Sequence, residues 1–483
     1  MLQRTMRKEN PVNNIIRALS IHEASFPVYA QLCPGAGNIV ACLHLTGELS
    51  AEQAGEAFAA LMQQEQSLQV ANKWFDSDAE AGIEAGYYFV KPDVSAPYFS
   101  RSNDESKGYD QQVLHFTNTM LNQPFQEGGL LWRAHFLSQT TDTEQKHCLI
   151  LCVNHGLADG ATINQLLKQW LGLLRNPVTL PALQSHLNLP LWHYMPKRIS
   201  GFLGAFRSLG IFSDFLKGQK LADNGLSFAV HNNVPVAEHR CISTFRTLEK
   251  SKMSALLTLA KAHNKSVHGL LSAAFIGAFL ADCKNRNQLN SIKNKFTFPF
   301  VTTVNVRDKM HNTGSDHQQV SAVANGCFSS GVVSMVNVDI DQIDNEYKQS
   351  PWALGQQVSA GVETALKQDQ HWKVLRIYQL AGLKGLKKMF MDASEKPLAT
   401  PLSLANLGVI SFEKEGTDVL TIEAYQVYAA FHASGAGLNL TVSSLNGVLN
   451  LCITAPAPVI SQLTLDRYAD DVIALLGFWA ATK

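Results

Sequence analysis

The run CLILCVNH, Cys148 to His155, is apolar almost without interruption. A strand with water on one face alternates in polarity, so a run like this belongs in a sheet covered on both sides. Directly after it, Ile163, Leu166, Leu167, Trp170, Leu171 and Leu174 recur at helical spacing and mark one apolar face. His155 to Asp159 therefore occupy the tight connection between a buried strand and an amphipathic helix. Connections of this kind are where a rigid scaffold converges side chains on a ligand.

The same alternation runs through the early chain. Asn38 to Thr46 is strand-like, and Ser50 to Gln53 matches a capping box at the start of a helix whose stripe is Ala54, Phe58, Leu61 and Met62. Residues from about 180 to 235 break the rhythm with several Pro and Gly. They hold one amphipathic piece in which Phe202, Phe206, Leu209, Phe212 and Phe215 keep roughly helical spacing. A second series follows: a strand near Cys241 to Thr247, helices to about Ala281, and a strand FTFPFVTTVNVR ending at Arg307. Asn446-Gly447 between two alternating runs signals a tight hairpin. Leu465, Tyr468, Val472, Leu475 and Leu476 mark a last helix. With 483 residues, two domains sharing an interface are expected. We divide the chain into a first half 1–185, a crossover 186–240 and a second half 241–483.

Forty basic residues balance forty acidic ones, which argues against nucleic acid or an anionic membrane as the main partner. The basic start, MLQRTMRKENPVNN, leads into no apolar run, so it does not read as a secretory signal. No stretch reads as a transmembrane segment. The eight cysteines are scattered with no CxxC pair, and Cys148 and Cys152 read as small core residues. A reducing cytoplasm is the expected compartment.

His155, Asp159 and Gly160 form an HxxxDG pattern. Imidazole is the side chain best suited to take a proton from a hydroxyl or amine near neutral pH. Asp159 can pin the loop by pairing with an Arg from elsewhere, and Gly160 lets the chain turn into the helix. The plainer reading of the same residues makes Asp159 a helix N-cap and His155 a solvated loop residue.

Motifs along nearly the whole chain decide between these. IIRALSIHEASF (Ile15 to Phe26), LNQPFQEGGLLWRAHFL (Leu121 to Leu137), NHGLADG (Asn154 to Gly160), SVHGLLSAAFIGAFL (Ser266 to Leu280), the Trp352 segment, VTTVNVR (Val301 to Arg307) and LANLGVI (Leu404 to Ile410) stand in the order and rough spacing of one family's motifs. Together they resemble the chloramphenicol-acetyltransferase-like and condensation-domain superfamily. The resemblance implies two similar α/β domains, each a mixed sheet with flanking helices, and a channel between them where acyl thioester donor and acceptor meet. It implies His155 as general base and Asp159 as a structural carboxylate, with Arg307 its candidate partner. Asn406 matches a position bordering the channel and is a candidate oxyanion donor, although Ala405 replaces the usual Ser. Asn154 replaces the first of two adjacent His found in many peptide-synthetase domains. That change tilts the resemblance towards alcohol-acetyltransferase and polyketide-associated types. The plant-type DFGWG motif is absent.

The implied reaction moves an acyl group from coenzyme A, or from a phosphopantetheinyl acyl carrier protein, to a small-molecule or lipidic alcohol or amine. No metal or bound cofactor is expected, because no HExxH, CxxC pair, P-loop or GxGxxG follows the required pattern. The rivals are a condensation-type amide or ester synthase of a natural-product pathway and a non-catalytic binding relative. His263 and His268 read as solvated or capping residues. Lys373, Arg376, Lys384, Lys387 and Lys388 read as a solvated helix face. The aromatic stripe reads as a linker helix packed on its own domain rather than a lipid contact. His155, at a loop end, is expected to support little packing.

Overall fold

The computed structural model describes residues 14–93, 99–103, 106–140, 144–176, 187–210, 226, 228–292, 294–310, 325–394, 400–412, 420–432 and 436–482. Two larger mixed sheets carry the fold, with a small antiparallel sheet of Ile15–Ala18 (β1), Ala71–Phe75 (β3) and Gly86–Val90 (β4) beside them. It is a two-lobed α/β architecture.

The first sheet is five-stranded. Its centre is Gln145–Asn154 (β7), flanked by Asn38–Thr46 (β2) and Trp132–Thr140 (β6) in antiparallel register, with Phe99–Ser102 (β5) parallel to β6 at one edge. β7 is buried from His147 to Asn154 because both sheet faces are covered. Helices Ala51–Gln64 and Gly160–Arg175 cover one face, where Phe58 meets Trp132 and Trp170 edge-on at 4.8 and 4.7 Å. Helix Tyr109–Asn122 lies against the other. Ser50 and Gln53 close the capping box that their spacing predicts.

The second sheet is six-stranded and uses Arg240–Leu248 (β8), Lys295–Asn305 (β9), Ser329–Asp339 (β10), Thr400–Ile410 (β11), Ala436–Leu445 (β13) and Val448–Ala457 (β14). β11 runs parallel to both of its neighbours, β9 and β13. Asn446 and Gly447, with φ of 53° and 86°, make the turn between β13 and β14. Helix Val267–Asn285 runs through the middle of this lobe's core. By length and composition it is apolar enough to cross a membrane, which corrects the sequence expectation that no such stretch exists. Its Phe275, Ile276 and Phe279 are fully buried inside the lobe, so its hydrophobicity is that of a core helix.

The lobes interlock. The strand Thr421–Ala429 (β12) falls within the second half of the chain, yet it pairs with β2 as the edge strand of the first sheet. Tyr29 on helix Ile21–Leu32 stacks on Phe390 of the helical segment Gln370–Ser394 at 3.7 Å. That segment is broken at Gly382, where φ is 63°. Lys384, Lys387 and Lys388 beyond the break are exposed, whereas Lys373 and Arg376 before it are half-buried.

Residues 202–210 are helical, but Phe202, Leu203, Phe206 and Leu209 point outward, 54% to 78% exposed. The expectation that this stripe packs on its own domain fails there, because the inward positions are Gly204 and Ser208. Phe212 and Phe215 lie outside the described residues.

Candidate active site

β7 ends at Asn154, and the chain leaves the sheet at His155, whose backbone N–H still donates to Gly37 O at 2.8 Å, as if the ladder continued one step. Asn154 Oδ1 then accepts from the N–H of Gly156 and tightens the turn. A Cβ at Gly156 would lie 2.8 Å from the carbonyl oxygen of Glu23, so the loop can approach helix Ile21–Leu32 only with glycine there.

That helix supplies the wall for the imidazole. Ser20 and Glu23 form a capping box at its start, and Glu23 also accepts from Arg17. Phe26 stacks on the His155 ring at 4.6 Å, and Phe431, just after β12, meets it edge-on at 5.6 Å. The side chain is thus held between rings from both halves of the chain and is 7% exposed. The expectation that it supports little packing is corrected: the fold brings two aromatic rings onto it. Burial pushes its pKa below the ordinary 6.5, although neighbouring carbonyls and the Asp159 carboxylate oppose the shift. The ring is therefore neutral near pH 7 and able to accept a proton. No described residue hydrogen-bonds Nε2.

Four residues on, Asp159 is fully engaged. Its Oδ1 caps the helix by accepting from Thr162 N–H at 3.0 Å, and its two oxygens take Arg307 Nη1 and Nη2 at 2.7 and 2.9 Å. Oδ2 also accepts from Phe328 N–H at 2.9 Å. The cap and the ion pair, alternatives in the sequence, are present together. Burial alone would raise this carboxyl. Arg307 and the two backbone N–H groups outweigh that and hold it below the ordinary 3.8. Arg307 lies just past the end of β9, in a short turn, with its guanidinium also donating to Thr162 Oγ1 and Asn305 Oδ1. Gly160 opens the helix under Leu407 of β11, whose Cδ2 would stand 2.8 Å from a Cβ there.

A pocket of about 390 Å³ lies on the far side of this clamp, between the lobes. Asp159, Gly160, Lys168, Thr303, Arg307 and Asn406 are among its lining residues, and His155 is not. Asn406 is exposed at a bulge in β11, where its Oδ1 accepts from Gly408 N–H at 2.9 Å. The structure thus brings His155, Asp159, Gly160 and Arg307 together and sets Asn406 in a neighbouring wall. A smaller cavity of about 120 Å³ lies towards the helix Ile21–Leu32 side, lined by His22, Trp192, Met195 and Leu375.

Four residues around the imidazole were not singled out from the sequence: Phe26 and Phe431 against its ring, Cys327 with Sγ 3.7 Å from its Nδ1, and His22 beside Cys327. His22 and Phe26 lie within the opening motif, four apart and so on one helix face, which was the available signal. Phe431 and Cys327 carry no local signal, since each reaches the site through a long-range connection. Of the two other histidines weighed, His263 is exposed beside Trp352, whereas His268 is turned inward. His268 Nε2 lies 3.2 Å from Thr302 Oγ1, and Ser266 is the residue that caps its helix, so the solvated or capping reading is corrected for His268. Among the described residues, no group of three or more His, Cys, Asp or Glu is placed to hold a metal ion.

No family model matches the sequence, and no curated protein matches it. Solved structures do match the fold. The trichothecene 15-O-acetyltransferase of Fusarium sporotrichioides superposes with a TM-score of 0.67 over 96% of this chain and 94% of its own, at 12% identity. The first condensation domain of the calcium-dependent antibiotic synthetase, in complex with a substrate analogue, gives 0.60 over 97% and 98%, at 13% identity. Polyketide synthase associated protein 5 of Mycobacterium tuberculosis gives 0.58 over 97% and 98%, at 15% identity. The chain has the two-lobed fold shared by these acetyltransferase and condensation-domain structures.

Proposed function

We propose that this chain is an acyltransferase that moves an acyl group from a coenzyme A or carrier-protein thioester to a hydroxyl or amine acceptor, with His155 as general base. One observation carries the reading. A neutral, buried imidazole sits between the lobes with Nε2 unengaged, while the carboxylate of its own loop is wholly consumed by Arg307 and the helix cap.

The chemistry needs no more than this loop supplies and an oxyanion donor. His155 Nε2 takes the acceptor proton as its oxygen or nitrogen attacks the thioester carbonyl carbon. The tetrahedral intermediate collapses, the C–S bond breaks, and the thiolate receives the proton from the imidazolium. Alignment of the two substrates contributes by making the step effectively unimolecular. Burial of the site limits hydrolysis, the competing reaction. Asp159 and Arg307 hold the loop, and Asn406 stays a candidate for polar contact within the 390 Å³ pocket.

The acceptor class is a small or lipidic alcohol or amine. A second reading, amide or ester formation from carrier-bound donors, is favoured by the synthetase domains among the similar structures. A reducing cytoplasm suits the eight free, buried cysteines. The test is a screen of acyl thioesters against the purified protein, read as released thiol, with His155→Phe as control. That variant keeps a ring between Phe26 and Phe431 but has no base. Thiol release coupled to acyl transfer, and lost in His155→Phe, is the expected result. Transfer that persists in the variant overturns the reading. A strong chelator is expected to leave the rate unchanged, and loss of rate restored by a divalent ion would overturn the metal-free scheme.

A further inference from the structure

Residues 187–210 form a strap with two unlike sides. On the inner side Leu191, Met195 and Ile199 are buried against Val306, Phe328, Trp372 and Leu375. Arg198 ties the strap to Asp369 through two hydrogen bonds of 2.7 and 2.8 Å. The helical stretch 202–210 is seated by its small residues. Gly204 and Ser208 are buried, a Cβ at Gly204 would run into the backbone of Ile199, and Ser208 Oγ donates to Gly204 O at 2.7 Å.

With Gly204 and Ser208 turned inward, the helical period sends Phe202, Leu203, Phe206 and Leu209 outward. The rings of Phe202 and Phe206 meet edge-on at 5.2 Å. Earlier in the strap Leu189 and Trp192 are exposed as well. Large apolar side chains gathered in water mark a contact surface, whereas single ones do not.

Charge on the strap is one-sided. The whole chain is balanced, but residues 187–210 hold Lys197, Arg198 and Arg207 and no Asp or Glu. Arg198 is taken by Asp369. Lys197 and Arg207 are exposed and form no ion pair among the described residues. Arg207 follows Phe206 and lies four positions after Leu203, so it stands at the edge of the apolar face.

Size and charge together select the occupant. A stable protein–protein contact takes about 20–30 residues a side, and six exposed apolar side chains on one strap fall well short of that. A bilayer asks for less. Phe and Leu enter the boundary between headgroups and acyl chains, Trp favours the same boundary, and cations beside them meet anionic headgroups.

We propose that residues 187–210 dock this protein on an anionic lipid bilayer. Phe202, Leu203, Phe206 and Leu209 enter the membrane surface, and Lys197 and Arg207 lie against its headgroups. The strap also gives Trp192 and Met195 to the wall of the 120 Å³ cavity, so the docking surface and that cavity share one piece of chain.

The test is flotation of the purified full chain with vesicles of phosphatidylcholine alone, and of phosphatidylcholine and phosphatidylglycerol in equal parts. Binding to the mixed vesicles is expected, weaker on phosphatidylcholine and weakened by salt. Phe202→Ser with Phe206→Ser is expected to lower the partition coefficient by about 10 to 100-fold. Lys197→Gln with Arg207→Gln is expected to lower it by about 10-fold on the mixed vesicles alone. All four side chains are exposed, so melting temperatures are expected to stay at the wild-type value. His155→Phe is expected to bind as the wild type does, because docking does not rest on the acyl-transfer reading. No binding to the mixed vesicles, or binding unaltered by the two Ser substitutions, overturns the proposal. Equal partition onto both vesicles overturns the assignment to an anionic surface. Sedimentation velocity covers the rival occupant: a wild-type dimer that the two Ser substitutions convert to monomer gives the face to a second copy and overturns the membrane.

Discussion

The two ends of one short loop are built in opposite ways. At His155 the ring is packed by Phe26 and Phe431, its charge is suppressed, and no described residue engages Nε2. At Asp159 the carboxylate is ionised and bound by Arg307, Thr162 and Phe328. Both groups are buried, so burial alone does not mark the reactive one. What marks it is unspent hydrogen-bonding capacity next to a neutral ring. A buried charge must have every partner in place, whereas a neutral base must keep one site open.

The largest effect that tests this contrast is on rate. His155→Phe is expected to lower acyl transfer by about 10² to 10⁴-fold with a near wild-type melting temperature. His155→Ala is expected to lose the rate equally and also melt earlier, because it empties the space between the rings. Equal melting of the two variants would break the claim that His155 is packed.

Asp159→Asn comes next, and its effect is on stability. It leaves Arg307 buried and uncompensated, a situation that typically costs about 3–5 kcal/mol. Denaturant unfolding of Asp159→Asn, Arg307→Met and the double variant closes the cycle. A double variant less damaged than the sum is expected. Additive losses would mean that the pair does not act as a unit.

Gly156→Ala probes the turn that joins the two ends. The added Cβ meets the backbone oxygen of Glu23 at 2.8 Å, and backbone cannot swing aside as a side chain can. A loss of about 1–3 kcal/mol is expected, in the range of overpacked sites. Urea midpoints compared with those of Gly477→Ala, where nothing lies near the added Cβ, measure it.

The smallest expected effect is in pH. His155 works when neutral and its folded pKa is lowered, so the acid limb of kcat/KM should fall below pH 6.5, not at it. Stability has its own sign. His22, His44, His135, His268, His371 and His432 are brought to about 4 by burial. Between that value and 6.5 the unfolded chain binds protons that the folded chain does not, so stability declines as pH falls through this window. Thermal melts from pH 7.5 to 4.5 show whether activity is lost before structure. An acid limb centred above 6.5 would contradict the buried, neutral imidazole.

The sequence by itself determined the local pieces of this molecule. The apolar run into His155, the stripe from Ile163 to Leu171, the Ser50 cap and the Asn446-Gly447 hairpin each depend on neighbours within a few residues, and each is where its pattern put it. Motif order also put Arg307 forward as a partner for Asp159, and the two are in bidentate contact. Only the tertiary structure decided what surrounds the imidazole. Phe431 and Cys327 stand 276 and 172 positions beyond His155 in the numbering (431 − 155 and 327 − 155). They arrive there because β12 crosses to the first sheet and because Asp159 and Thr162 draw residues 326–328 across the cleft. The direction faced by Phe202 and Phe206 was likewise undecidable from periodicity, which shows that a helix has two faces but not which one meets the protein. Local periodicity records the energetics of single elements. The environment of a buried titratable group is a sum over distant ones, and only closure of the fold brings them within reach.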